Sequence, residues 1–323
     1  MFISVNETFL IREKLSNKIL NKCLDFVVNQ RNLNKENIEN AYKTNISKIV
    51  KIPQKFYEED IHIIIKTKFN KDYKYININK SIIFSDLENG AKKFLKKIDQ
   101  FQLEKIYFFP KTYLSKNMVF QVLAKGNFYR PDKLSDICAD LRANIASIVN
   151  DISAENIKVI KISKYLNNFK FLNVKDQLNE DIIKSFIFIL DRYNKEDIKT
   201  SLTHGDFKFE HLFTIDGNIE YLVDWENVGI RSIFFDIMNF FIPWFVKRSF
   251  NFFEIKKYIC KFIEDCLPNL KKDIQNKFEI YFCLYGLERY ERLHNSRTVE
   301  FDIDEAYKRY NFLFKNLIKE ISE

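Results

Sequence analysis

Apolar residues recur at helical spacing early in the chain, at Ile19, Leu20, Cys23, Leu24, Val27 and Val28. Residues 6–30 therefore predict an amphipathic helix, within a helical N-terminal extension over residues 1–40. The period then shortens. Runs rich in β-branched and aromatic residues at 46–52, 61–69 and 73–79 predict strands, the last two joined by an Asn70-Lys71-Asp72 turn. Ser85 followed by Glu88 has the form of a capping box for a helix through Ile98, and 105–114 and 118–123 read as two further strands. Residues 41–123 thus predict a small five-stranded sheet with one helix, and 124–131, containing Gly126, a hinge out of it.

From Pro131 onward the pattern is helical. Helices are expected over 132–150 and 179–193, and 250–323 reads as almost wholly helical, so 132–323 forms a larger helical lobe. One hairpin interrupts it, at 212–215 and 219–223 around Asp216-Gly217-Asn218. The densest apolar stretch, 233–246, carries Asp236, Asn239 and Pro243, which predicts a buried helix and not a membrane-surface element. The fold class that follows is α+β, with a small β-rich lobe preceding a helical one.

Composition narrows the chemistry. Of 323 residues 46% are apolar and 16% aromatic, enough for an ordinary core and against disorder as the main state. Six Gly and five Pro leave no glycine-rich phosphate loop, and no glycine precedes Gly90. Five cysteines without a CxxC pair, beside four histidines, predict a reduced, cytoplasmic chain with no structural zinc. The N-terminal residues lack the basic start and apolar core of a secretory leader, and no apolar run approaches the roughly 18 residues of a membrane span. Peripheral contact with a membrane stays open, and nothing in the pattern specifies an oligomer. The net charge of +8 is uneven: residues 1–125 hold 23 Lys/Arg against 13 Asp/Glu, while the remainder is slightly acidic. A basic first part suits phosphates or an anionic surface. Its scattered lysines lack the arginine and aromatic interleaving of a nucleic-acid groove, so nucleic acid is not an expected partner.

The informative segment is Thr203-His204-Gly205-Asp206-Phe207-Lys208-Phe209-Glu210-His211, followed by Val223-Asp224-Trp225-Glu226. If Gly217-Asn218 form the hairpin turn, His211 falls directly opposite Asp224; an Asp216-Gly217 turn shifts the pairing by two residues. Either register makes them neighbours. Asp206, in the loop feeding the first strand, then joins them, and two carboxylates, an imidazole and Lys208 converge. Such a cluster suits phosphoryl transfer, in which a metal bridges nucleotide phosphates, a carboxylate orients the attacking hydroxyl and a cation offsets the charge on the transferred group.

The order His-Gly-Asp, four residues, His, then hydrophobic-Asp-Trp-Glu, then Asp236 in Phe234-Phe235-Asp236-Ile237-Met238 resembles the aminoglycoside phosphotransferase and choline kinase superfamily, which shares the protein-kinase fold. His204 to His211 is also similar, position by position, to the protein-kinase catalytic loop HRDLKPEN. The resemblance covers roughly residues 41–320 and implies a bilobal protein-kinase-like fold using ATP and Mg²⁺. It implies that Asp206 is the catalytic base, that Lys208 approaches the γ-phosphate, that Asp224 and position 211 bind metal, and that His204 and Asp236 support the catalytic loop. His211 stands where the superfamily has Asn, which resembles the WaaP-type lipopolysaccharide-core heptose kinases. For the lysine that holds the α/β-phosphates the resemblance points to Lys80, with Lys66 as runner-up, and to Glu88 as its partner. No activation-loop insert separates Asp224 from Asp236. The expected activity is therefore that of a small-molecule kinase acting on a hydroxyl of a sugar or surface-glycan precursor. The alternatives are a pseudokinase serving as a nucleotide-binding or scaffold module, and an aminoglycoside-modifying phosphotransferase.

Overall fold

A computed structural model of the protein describes residues 2–5, 9–12, 63–66, 73–77, 82–86, 90–115, 118–122, 127–128, 139–153, 157–169, 180–216, 218–295 and 303–322. The chain divides into two compact units, Met1–Tyr129 with Leu212–Val223, and Arg130–His211 with Asp224–Glu323.

The first unit carries β1 (Phe2–Val5), β2 (Phe9–Arg12), β3 (Ile63–Lys66), β4 (Tyr73–Asn77), β5 (Ile82–Asp86), helix α1 (Gly90–Phe101), β6 (Thr112–Ser115) and β7 (Met118–Val122). The strands form one seven-stranded sheet in the order β1-β2-β3-β4-β5-β7-β6. Its neighbouring strands pair antiparallel. This corrects the helical extension expected over 1–40: Phe2-Ile3-Ser4-Val5 and Phe9-Leu10-Ile11-Arg12 pair with each other as strands, and β2 continues onto β3. Aromatic and β-branched residues in these short segments favour the pleated surface. The helical periodicity at Ile19–Val28 lies outside the described residues, as does the strand expected at 46–52.

The capping box expected at Ser85 is also corrected. Ser85 sits inside β5, paired with Lys74 and Val119, because the Ile82-Ile83-Phe84 run carries the strand through Asp86; α1 starts at Gly90. The strand expected over 105–114 shrinks to Thr112–Ser115. Pro110 has no amide to give a ladder, its carbonyl accepts from Thr112 Oγ1 at 2.7 Å, and Phe108 and Phe109 bury themselves in the preceding turns. Within 124–131 the chain forms a two-residue strand, β8 (Asn127–Phe128), which joins β11 (Leu212–Ile215) and β12 (Asn218–Leu222) in the order β12-β11-β8.

The second unit contains α2 (Ala139–Ser153), β9 (Lys158–Lys161), α3 (Ile162–Leu166), α4 (Glu180–Asp191), β10 (Asp197–Thr203), β13 (Gly229–Ser232), α5 (Phe235–Val246), α6 (Phe252–Cys266), α7 (Lys271–Asn295) and α8 (Ile303–Ser322). Apart from α3, which was not expected, the helices fall on the stretches where the 3.6-residue period places them. The three-stranded sheet β13-β10-β9 was not expected. Its strands are joined by long connections, so no hairpin turn marks them in the sequence.

The core of this unit gathers on α5, which is apolar on nearly every side and buried accordingly, as the sequence predicts. Phe240 stacks on Phe207 at 5.0 Å between centroids, Phe234 meets Tyr281 of α7 edge-on at 4.7 Å, and Phe235 packs near Tyr285. Each such ring contributes about 1.5–3 kcal/mol by leaving water. Helix α6 begins with a reciprocal cap: Asn251 Oδ1 accepts from Glu254 N, and Glu254 Oε2 from Asn251 N, both at 2.9 Å. Among the described residues, no helix is long and apolar enough to cross a membrane.

Helix α7 approaches α4 closely because residue 286 is glycine; a Cβ there would run into the ring of Phe186. Gly286→Ala is expected to destabilise the protein by about 1–3 kcal/mol through overpacking. Urea unfolding measures this, and an unchanged midpoint would show that the Phe186 ring yields.

Candidate active site

Strand β10 ends at Thr203 and delivers the loop His204-Gly205-Asp206-Phe207-Lys208, which closes in a short turn, Phe209–His211. Position 205 requires glycine on two grounds. Its φ is +81°, and a Cβ would collide with the Asn227 carbonyl and the Arg231 guanidinium. The bend turns consecutive amides the same way, and a buried carboxylate on the first turn of α5 receives them: His204 N donates to Asp236 Oδ2 at 2.6 Å and Gly205 N to Oδ1 at 3.0 Å. Burial pushes the Asp236 carboxyl up to about 6, against the opposing pull of the Gly205 and His204 amides and of Arg231. The imidazole of His204, itself fully buried, packs edge-on against Trp225 at 4.7 Å, and its Nδ1 accepts from Asp206 N at 3.3 Å.

The hairpin β11–β12 resolves the two registers left open by the sequence. Ile215 faces Asn218, the pairing that the Asp216-Gly217 reading requires, and Asp216 takes a positive φ of 51°. A bulge between Phe213 and Thr214 then moves the pairing by one residue, to Leu212 opposite Leu222. The segments flanking the hairpin are thereby neighbours. His211 Nε2 lies 3.2 Å from Asp224 Oδ2. Asp224 also adopts the left-handed region, φ 68°, before the turn Trp225–Asn227, which carries Glu226. Aspartate tolerates that conformation better than most residues, and backbone strain of this kind collects at functional sites.

Among the described residues, Asp206, His211 and Asp224 form a group whose ligand atoms all lie within 4.8 Å of one another. The His211 ring is already oriented. Its Nδ1 lies 2.8 Å from the Asp206 carbonyl, which can only accept, so Nδ1 carries the proton. Its Nε2 faces the Asp224 carboxylate at 3.2 Å. A carbonyl that orients the ring from behind is the support that a ligating histidine usually has, and it leaves Nε2 and the Asp224 carboxylate as donors on either side of a cation. The Asp224 carboxylate and the His211 imidazole, with the Asp206 carboxylate beside them, fit a divalent ion.

Both oxygens of Asp206 are occupied by cations: Lys208 Nζ donates to Oδ2 and Arg292 Nη1 to Oδ1, each at 3.0 Å. Burial works to raise its pKa, but Arg292, then Lys208 and His211, hold the carboxyl well below the usual range. Asp206 is therefore an ionised, weakly basic carboxylate, suited to orienting a hydroxyl more than to removing its proton early.

The structure thus brings together His204, Asp206, Lys208, His211, Asp224 and Asp236. Lys80 and Glu88 lie outside the described residues, and Lys66 is described only as part of β3. Sequence reasoning missed Arg292, Arg231 and Asn239. Arg231 binds Thr203 Oγ1 at 2.8 Å and the Asn227 carbonyl at 2.9 Å. Asn239 Nδ2 donates to the Phe207 carbonyl at 2.8 Å and its Oδ1 accepts from Arg289. The available signal was a polar stripe, Glu288, Arg289 and Arg292, inside the aromatic run of α7.

The sequence matches no protein-family model, and none of the curated proteins matches it. Solved structures do match. The chain is similar to an aminoglycoside 2′-phosphotransferase-IIIa variant in complex with GDP, at 13% identity over 83% of this chain and 95% of that one, with a TM-score of 0.54. It is similar to aminoglycoside phosphotransferase APH(4)-Ia at 13% identity, over 81% of this chain and 96% of that one, with a TM-score of 0.53. An inferred aminoglycoside phosphotransferase from Ralstonia eutropha matches at 11% identity, over 80% of this chain and 91% of that one, with a TM-score of 0.52. The chain has the α+β protein-kinase-like fold of these proteins.

Removing the buried acceptor of the loop amides should be costly. Asp236→Ala leaves two interior N–H groups without their carboxylate and is expected to destabilise the protein by about 2–5 kcal/mol. Thermal unfolding checks this, and stability equal to the parent's would mean that the loop does not depend on Asp236.

Proposed function

We propose that the protein is an ATP- and Mg²⁺-dependent phosphotransferase acting on a hydroxyl of a small molecule, a sugar or surface-glycan precursor. The observation that carries this reading is the grouping of Asp206, Lys208, His211 and Asp224 around one point. The fold shared with nucleotide-dependent phosphotransferases supports it, one of those structures holding GDP.

In this reading the acceptor hydroxyl donates a hydrogen bond to Asp206, which turns its oxygen lone pair toward the terminal phosphorus. The new O–P bond forms as the bond to the leaving diphosphate breaks, and the hydroxyl proton leaves late, as expected for so weak a base. Lys208, 40% exposed at its side chain, swings from Asp206 to the transferred phosphoryl group. Asp224 and His211 would hold a divalent ion, which when bound offsets phosphate charge. Lys80 and Glu88 remain the proposed nucleotide contacts of the first unit.

The charges at Asp206 bear on the acceptor. Arg292 stays on this carboxylate after Lys208 has left for the phosphate, so an acceptor bearing several ammonium groups meets a like charge next to the reacting hydroxyl, whereas a neutral or acidic sugar does not. This favours a glycan precursor over an aminoglycoside.

Asp206→Asn should lower phosphate transfer about 10²–10⁴-fold while sparing nucleotide affinity. ADP release with Mg·ATP and a panel of neutral sugars, sugar phosphates and aminoglycosides measures this. Undiminished transfer by the variant would remove Asp206 from the mechanism, and faster transfer to aminoglycosides than to sugars would contradict the acceptor class.

A further inference from the structure

Helix α7 is lined with aromatic and aliphatic residues, yet one stripe of it is charged, and all three charges reach toward the elements that hold the loop. Glu288 accepts from Ser232 N at 2.6 Å, from Ser232 Oγ at 2.7 Å and from Tyr165 Oη at 2.5 Å, which ties down the end of β13. Arg289 binds Asn239, whose amide holds the Phe207 carbonyl. One turn further along, Arg292 Nη1 binds the Gly205 carbonyl at 3.1 Å and Asp206 Oδ1 at 3.0 Å. Burying a guanidinium is costly unless it is paired and hydrogen-bonded, and here the pairing goes to the carboxylate that faces the acceptor hydroxyl in the proposed reaction.

We infer that Arg292 is a positioning residue of the phosphoryl-transfer site, acting through Asp206. The inference rests on the phosphotransferase reading given above. A single nitrogen bridging the backbone carbonyl of residue 205 and Oδ1 of residue 206 fixes the rotation of the carboxylate relative to its own loop. Oδ1 is thereby retained by the protein, and Oδ2 becomes the oxygen offered to the acceptor hydroxyl. In the resting arrangement Lys208 occupies Oδ2. Phosphate that draws Lys208 away frees this oxygen while Arg292 keeps the carboxylate aimed, so the acceptor subsite completes itself only after nucleotide has bound. Arg292→Lys would keep the charge but lose the planar Nη1 group, whose two hydrogens are held in the guanidinium plane and meet the two acceptors at fixed geometry.

The test uses the full chain, with Mg·ATP as the probe and water as the acceptor, reading ADP release together with nucleotide affinity and melting temperature. Arg292→Gln should reduce turnover about 10- to 100-fold, the scale of a misplaced reacting group, with nucleotide affinity within about twofold of the parent. Arg292→Lys should recover part of the loss. In an Asp206→Asn background Arg292→Gln should lower turnover no further, since a residue acting through another has no separate effect once that partner is gone. Unchanged turnover in Arg292→Gln would overturn the inference. So would a loss that multiplies with Asp206→Asn, or turnover, affinity and melting temperature falling together with no recovery in Arg292→Lys. If the parent protein neither binds nor hydrolyses Mg·ATP, the phosphotransferase reading itself fails, and the inference falls with it.

Discussion

A bend in which two successive amides point the same way into a protein interior needs an acceptor that can serve both, and in this chain Asp236 does so. The His204 and Gly205 amides reach its two oxygens. The placement of Asp206, Lys208 and His211 depends on that pair of bonds, because they hold the loop from which these side chains project. The carboxylate pays for its burial with these hydrogen bonds and with the nearby Arg231, and at a value of about 6 it is mostly ionised at neutral pH.

The surrounding core makes the arrangement stiff. Helix α5 carries Asp236 on its first turn and Asn239 one turn on, and is otherwise buried among aromatic rings, so the two polar groups that grip the loop have fixed positions. Helix α7 grips the same region as well, through Glu288, Arg289 and Arg292. The loop is therefore held at Gly205, Asp206 and Phe207 by side chains from two helices. An arrangement of this kind supplies preorganised charge, which is the main contribution a protein makes to phosphoryl transfer.

The spacing of chemistry-bearing residues was legible in the sequence because it is local: a short loop, a tight hairpin and the start of a helix carry Asp206, His211, Asp224 and Asp236 within about one supersecondary unit. Amphipathic periodicity placed the helices of the second unit for the same reason. What was not legible is long-range. The sheet β13-β10-β9 joins segments with no common turn, and Arg292 reaches Asp206 across 86 residues. In the first unit, short β-rich segments overruled local signals: Phe9–Arg12 became a strand where helical spacing was read, and Ser85 paired within β5 and did not cap a helix. Pairing partners decide such segments, and local propensity cannot name the partner.

The most direct test of the account is thermal unfolding of the protein with Mg²⁺ alone, ATP alone and Mg·ATP, beside the Asp224→Ala variant. Ligand at about 100 times its dissociation constant stabilises the folded state by roughly 2.7 kcal/mol. The account predicts a clear rise in melting temperature with Mg·ATP that exceeds the effect of either component and is lost in the variant. No shift under any condition, or an equal shift in Asp224→Ala, would contradict a nucleotide-metal site at His211 and Asp224 and leave the chain as a scaffold built on the same fold.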